Sequence, residues 1–320
     1  MINNFFCKVA GISDNSTGLS SIEDNISSIA SKFVDFFNLS YPLEMDHLTS
    51  LCFSSGIEIN FLPDGPETRG LSCSHGEDII IFIKENDAPC SQIHTILHEL
   101  CEIFIKKILN KKYIETSENK YLLERIADQF SAEVHVPGDE VLNRINGYGF
   151  DVFLLQKSLN CSYATALIRF HDVLYHYVKE ETKKPIPLIS LLYHRPYWEE
   201  RPNGRIPRLK FRCLGKSKGF KFRMGKKEVN NIIIYDDIDK CFMRQIIKAK
   251  EDMFFQNVMM EFKDKHLEID MLIRLVYWKE DEYPSKVLIH IIPSEHLDMT
   301  ELAGRKNVPH YNLSIFRGVR

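Results

Sequence analysis

The sequence lacks the features of membrane-spanning, secreted and disulfide-rich proteins. No apolar stretch approaches the roughly eighteen uninterrupted residues of a membrane span. The opening residues lack the charged and apolar regions of a signal peptide. The eight cysteines have no Cys-x-x-Cys spacing, which argues against a disulfide framework and against a cysteine-rich zinc module. These absences predict a globular, cytoplasmic protein with free thiols.

The charge of the chain is divided unequally between its two halves. Residues 1–150 carry 22 acidic and 11 basic residues, whereas residues 151–320 carry 22 acidic and 30 basic residues. A basic half favours an acidic partner or a nucleic acid, although such an imbalance is also typical of a solvated surface. At 320 residues with 44% hydrophobic content, the chain is long enough for two or three domains.

Apolar periodicity predicts an α+β fold. Helical spacing is found at residues 21–38, 45–53, 90–109, 117–134, 150–159 and 163–180. Short strands are predicted at 57–62, 71–74 and 78–83, so a small sheet precedes the helix at 90–109. Beyond a linker at 185–187, the pattern predicts strands at 208–214, 220–224, 232–235, 269–278 and 286–292, and a helix at 240–254.

The most informative segment is His98-Glu99-Leu100-Cys101-Glu102, which lies in an apolar helical run. Residues four apart stack on one helix face, so His98 and Glu102 can bind one metal ion while Glu99 reaches water on that metal. Zinc proteases carry His-Glu-x-x-His at this spacing. Here a glutamate replaces the second histidine, and glutamate is still a competent oxygen ligand for zinc.

The next predicted helix supplies two more carboxylates on one face. Glu124 and Asp128 are four residues apart, and the 22-residue interval from Glu102 to Glu124 leaves room for a turn and an antiparallel return. A carboxylate one turn from a metal ligand commonly orients the ligands by hydrogen bonding. The two helices together therefore predict a metal site.

The two motifs together resemble the ImmA/IrrE family of metallopeptidases. The resemblance rests on His98-Glu99-Leu100 and on the segment from Glu124 through Ala127, Asp128, Phe130 and Ala132 to Pro137, and it extends over about residues 20–180. It implies a zincin-like metallopeptidase domain, made of a small sheet and the motif helices. It also implies that His98 and Glu124 are metal ligands, that Glu99 is the general base, and that Asp128 orients the ligands. Glu102 then occupies the second ligand's place, and Zn²⁺ is the expected cofactor, with Mn²⁺ as an alternative.

Several alternatives stay open at these positions. Glu102 can ligate the metal, the protein can have lost the metal and kept the fold, or His94 can take the place of Glu102, because it also lies four residues from His98. His135 is a candidate for stabilising the oxyanion formed during peptide attack. A helix-terminal histidine without such a role is the simpler interpretation.

The organisation of the chain is predicted as three parts. Residues 1–182 form the metallopeptidase domain with trailing helices, residues 183–227 a basic linker or hairpin, and residues 228–320 a C-terminal α+β module of a sensory type. Basic and aromatic residues alternate at 195–227, which suits direct nucleic-acid binding or a basic hairpin with one aromatic face in the core.

Two functions follow as hypotheses. The first is a metal-dependent endopeptidase, and the family resemblance implies that it cleaves a helix-turn-helix transcriptional repressor in a stress or mobile-element response. The alternative is a non-catalytic regulator that keeps the peptidase fold and binds nucleic acid or a repressor through its basic half.

Overall fold

The chain divides into two compact units. A computed structural model describes residues 5–6, 18–63, 70–75, 78–109, 116–148, 151–182, 188–201, 204–216, 253–262, 265–277 and 284–293. One unit comprises Met1–Val141 and Phe153–Ala166, and the other comprises Leu142–Val152 and Leu167–Arg320. None of the helices in these ranges has the length and apolarity that a membrane crossing requires.

From Leu19 onward, the described part of the first unit contains two helices, a small sheet and two further helices. These elements are α1 (Leu19–Phe37), α2 (Met45–Ser54), β1 (Ile57–Leu62), β2 (Gly70–His75), β3 (Asp78–Lys84), α3 (Pro89–Ile108) and α4 (Ser117–His135). The turn after α2 contains Gly56, whose φ of 76° lies in the left-handed region that glycine adopts without strain. Thr116 caps α4 by accepting a hydrogen bond from the backbone N–H of Asn119.

The small sheet has the strand order β1-β3-β2. β1 pairs in parallel with β3, and β2 pairs antiparallel with β3, so β2 lies at an edge. Ile79, Ile81 and Ile83 of β3 are buried, and the alternation directs one face of this central strand into the core. Because α3 also contacts both β2 and β3, the sheet supports the helix that carries the histidine motif.

Aromatic side chains form the centre of the first unit. Phe33 of α1, Phe104 of α3 and Phe130 of α4 are at most 2% exposed and meet around Phe6. The Phe6 ring stacks on Phe104 with centroids 5.1 Å apart, and Phe33 meets Phe130 edge to face at 5.3 Å. Such aromatic pairs contribute stability beyond the area they bury, and here they fix the packing of the three helices.

Helices α5 (Gly138–Tyr148), α6 (Val152–Leu159) and α7 (Tyr163–Thr182) follow, and the division between the units falls within them. The second unit contains a five-stranded antiparallel sheet with the strand order β5-β4-β8-β7-β6. Its strands are β4 (Ile189–Arg201), β5 (Gly204–Lys216), β6 (Met253–Phe262), β7 (Lys265–Tyr277) and β8 (Pro284–Pro293). Consecutive residues at the start of β4 are buried, so this part of the strand is covered on both faces.

A buried polar chain joins α7 to this sheet. Ser190 of β4 lies 2.8 Å from Nε2 of His171 on α7 and 2.5 Å from Nδ1 of His290 on β8. All three side chains are buried, and burial lowers the pKa of His171 to about 3. Arg274 of β7 donates from Nε to Asp151 at 3.0 Å. These contacts pair most of the polar atoms involved, although Nδ1 of His171 has no hydrogen-bond partner.

Most elements agree with the sequence predictions. The six helices predicted before residue 183 and the first three strands are confirmed within about two residues at each end, which is the usual precision of such boundaries. Helix α5 and strands β4 and β6 were not predicted. Residues 253–254 belong to β6, so their assignment to a helix at 240–254 was wrong, because the apolar run here extends a strand.

Other predictions lie outside the described part of the chain. The strands at 220–224 and 232–235, the linker at 185–187 and residues 240–252 belong to this group. The predicted strand at 208–214 lies within β5, which pairs with β4 in a hairpin. The division into 1–182, 183–227 and 228–320 stays a prediction.

Phe130→Ala is expected to destabilise the first unit by about 3–5 kcal/mol, since it removes a fully buried ring from the aromatic centre. Tyr121→Ala on the same helix is the matched control, because Tyr121 is 67% exposed. The free energy of unfolding of each variant would be measured by urea denaturation. Equal effects of the two substitutions would contradict the assignment of Phe130 to the core.

Candidate metal centre

The candidate centre is built on α3 and α4, which pack against each other. α3 begins with Pro89 and buries Ile93, Leu97 and Leu100, so one face of the helix enters the core. His98 and Glu102 lie four residues apart on α3, one helical turn from each other. Helix α4 likewise buries Leu123, Ala127 and Phe130 and brings Glu124 to the same place.

Three side chains converge there. One ligand atom from each of His98, Glu102 and Glu124 lies within 4.8 Å of the other two. His98 Nε2 is 3.6 Å from Glu102 Oε1 and 3.4 Å from Glu124 Oε2. Ligand atoms about 2 Å from a tetrahedral zinc lie roughly 3.3 Å from one another. The imidazole nitrogen and the two carboxylate oxygens therefore fit a small divalent cation.

Asp128 is hydrogen-bonded to the other ring nitrogen of His98. His98 Nδ1 donates to Asp128 Oδ1 at 3.0 Å, which leaves Nε2 directed toward the two glutamates. Metal-binding histidines commonly donate their second ring N–H to a carboxylate, because this fixes the tautomer and the ring orientation. Asp128 is thus placed for the orienting role that the sequence predicts.

The charges of the centre are strongly coupled. Burial lowers the pKa of His98, but the carboxylates of Asp128 and Glu102 act more strongly and raise it to about 10. Burial raises the pKa of Glu102, but contacts with His98 and Lys106 lower it to about 2. Burial and the neighbouring Glu102 carboxylate raise the pKa of Glu124. Without a cation, the centre therefore holds a protonated histidine beside an ionised Glu102.

Glu99 lies where α3 meets the edge strand. It is 9% exposed, and a Cβ added to Gly70 of β2 would lie 3.1 Å from Glu99 Oε1 and 2.4 Å from Thr95 Cγ2. Any side chain at position 70 would therefore displace the Thr95 side chain or push β2 away from α3. Gly70 allows the edge strand to approach the helix at the level of Glu99.

The two other candidate histidines lie outside the three-residue cluster. The His94 ring is 2.9 Å from Ser131 Oγ through Nδ1, and its Nε2 is 3.7 Å from Asp128 Oδ1. His135 is 1% exposed, and burial lowers its pKa to about 4, so this ring is neutral and enclosed near neutral pH. His94 therefore lies on the Asp128 side of the centre, away from Glu102.

Four residues at the centre escaped the sequence interpretation: Gly70, Thr95, Lys106 and Ser131. Lys106 contacts Glu102 Oε2 from the next turn of α3. Its spacing of four residues from Glu102 is a signal that could have identified it. Gly70 gave no comparable signal, because its importance depends on how closely β2 approaches α3.

Gly70→Ala is expected to cost about 1–3 kcal/mol of stability, because the added methyl would overlap Thr95 Cγ2. The matched rescue is the double variant Gly70→Ala, Thr95→Ser, which removes Cγ2 and keeps the hydroxyl that donates to Ser91 O. The double variant should recover most of the lost stability in urea denaturation. A double variant no more stable than Gly70→Ala would contradict the proposed overlap.

Zinc affinity is expected to rise about tenfold per pH unit between pH 6 and 8. His98 must lose its proton before Nε2 can bind a cation, and its raised pKa keeps it protonated throughout this range. Glu102 stays ionised there because its pKa is lowered to about 2, so it adds no pH dependence. Competition titrations against a chelator at several pH values would measure the slope. A pH-independent affinity would contradict this prediction: either His98 is not protonated in the metal-free protein, or it is not a ligand.

Two comparisons with known proteins bear on the family and the fold of the chain. Residues 52–171 match the M78 peptidase family described as an IrrE N-terminal-like domain. Among solved structures, the chain is similar to a Mycobacterium tuberculosis transcriptional regulator, with a TM-score of 0.52 and 11% sequence identity. That match covers 96% of this chain and 85% of the other. No curated protein matches the chain in sequence.

The two findings support different statements. At 11% identity, the likeness to the mycobacterial structure concerns the fold alone. The family match is more specific, because it includes α3, α4 and all three residues of the cluster. Residues 52–171 therefore form an IrrE N-terminal-like domain of the M78 peptidase family, as the motif resemblance predicts.

Proposed function

We propose that the chain is a metal-dependent endopeptidase whose metal is held by His98, Glu102 and Glu124. The observation that supports this most strongly is the convergence of the three ligand atoms within 4.8 Å, with Asp128 bonded to His98 behind them. Zinc suits this set, and manganese is an alternative because carboxylate ligands also suit harder cations. When bound, the cation supplies Lewis acidity toward water and toward a peptide carbonyl.

Glu99 is the proposed general base. It accepts a proton from the attacking water and transfers that proton to the leaving amine, as a positioned carboxylate can. Its 9% exposure and its place beside Gly70 keep the carboxylate away from bulk water. Asp128 contributes by fixing the ring of His98, so that Nε2 stays available to the cation.

The proposed substrate is a helix-turn-helix transcriptional repressor. This part of the proposal rests on the resemblance to the ImmA/IrrE family. The similar mycobacterial protein is a transcriptional regulator, which agrees with a role in transcription but suits a cleaving enzyme and a binding protein equally.

The second candidate function is a non-catalytic regulator that binds nucleic acid or a repressor. It is supported by the excess of basic residues in the second half, 30 against 22 acidic residues in 151–320. The segment proposed to make the contact is 195–227, part of which lies in the β4–β5 hairpin.

The metal content of the purified protein separates the two candidate functions. About one equivalent of zinc or manganese, lost in His98→Ala, supports the peptidase, whereas no metal with salt-sensitive DNA binding supports the regulator.

Glu99→Gln is expected to reduce peptide cleavage by at least about 100-fold while zinc binding is retained, because it removes the base and no ligand. The assay would incubate the zinc-loaded protein with a peptide library and with any small helix-turn-helix protein encoded next to its gene. Mass spectrometry would identify the cleaved bonds.

Glu118→Gln is the matched control, since Glu118 is an exposed carboxylate in the first turn of α4. It should cleave at the wild-type rate. Cleavage by Glu99→Gln at the wild-type rate would rule out the proposed base.

A further inference from the structure

The two oxygens of Glu102 face two different positive groups. Oε1 lies 3.6 Å from His98 Nε2, on the side of the cluster, and Oε2 contacts the ammonium of Lys106. The Glu102 side chain is 8% exposed, whereas that of Lys106 is 48% exposed. The Glu102 carboxylate thus lies between the candidate metal centre and the Lys106 ammonium, which reaches it from the solvent side.

The sequence favours this ion pair. Lys106 follows Glu102 by four residues, the spacing and order in which a glutamate and a lysine stabilise a helix. Lys106 also lies in the last turn of α3, where the helix dipole favours positive charge. A buried carboxylate without a counter-ion is costly, so this pairing bears directly on the stability of the domain.

The same pairing bears on cation binding. Lys106 and a cation at the centre would share one carboxylate, and two positive charges a few ångströms apart repel each other. A histidine at position 102 would be neutral and would need no such counter-ion. A counter-ion such as Lys106 is therefore needed only because position 102 is a glutamate.

We propose that Lys106 is a resident counter-ion of Glu102 that stabilises the metal-free domain and competes with the metal for the carboxylate. This inference rests on the proposed function, since it concerns the same site. It assigns Lys106 a regulatory role. Lys106 keeps the domain folded when the site is empty. Because it competes for Glu102, the occupancy of the site depends on the supply of metal.

The test compares Lys106→Met with Lys107→Met, which removes a neighbouring lysine that lies over the Phe104 ring. Lys106→Met should lower the melting temperature of the metal-free protein by about 2–6 °C and tighten zinc binding about fivefold or more. Lys107→Met should leave zinc affinity within about twofold of wild type. Calorimetry would measure melting, and chelator competition would measure affinity.

Two further variants test whether the effect passes through Glu102. Lys106→Arg keeps the charge and should retain the wild-type melting temperature and zinc affinity. In a Glu102→Gln background, Lys106→Met should no longer lower the metal-free melting temperature, because the carboxylate is gone.

The possible failures are distinguishable. If wild type binds zinc but Lys106→Met binds it equally or more weakly, the competition is overturned while the proposed metal site stands. An unchanged metal-free melting temperature in Lys106→Met would overturn the counter-ion role. If wild type binds neither zinc nor manganese, the proposed function fails and the competition fails with it.

Discussion

The packing of α3 against α4 is the constraint on which the candidate centre depends. Each helix contributes polar residues four apart, and neither helix alone brings three ligand atoms together. The hydrogen bond from His98 to Asp128 ties the two polar faces, while Phe104 and Phe130 pack around Phe6 in the core. The aromatic packing therefore sets the relative position of the two helices, and this position determines the distances between the ligand atoms of the site.

Charge balance is the second constraint. Glu102, Glu124 and Asp128 surround one imidazole, and like charges this close destabilise the fold unless cations accompany them. His98 carries one compensating proton, and Lys106 supplies the other positive charge. Compared with a neutral histidine, glutamate at position 102 thus changes the charge of the whole centre as well as the side chain at one position. Lys106 offsets that change from outside the cluster.

The sequence predicted the helices of the centre better than the large sheet. α3 and α4 are long and periodic, so the faces that carry His98 and Glu124 could be read from spacing alone. β4 escaped because Leu188–Tyr193 is buried throughout and shows no alternation of apolar and polar residues. Its pairing with β8, which sets Ser190 opposite His290, joins residues a hundred positions apart, beyond the reach of local pattern. The approach of β2 to Glu99 could not be predicted from the sequence either, because it depends on a tertiary contact at Gly70.

The contrast between Glu102 and Glu124 bears on the interpretation of the His98–Glu102 motif. Glu102 is 8% exposed and needs partners to remain ionised, whereas Glu124 is 62% exposed and could turn into solvent. In a fold kept only for binding, a buried carboxylate that needs two counter-ions would have no use beyond its ion pairs. A divalent cation would use both glutamates at once and would relieve their repulsion. His94 offers no equivalent, because its ring contacts Ser131, lies near Asp128 and is not part of the three-residue cluster. The arrangement of charges therefore favours Glu102 as a ligand over both alternatives.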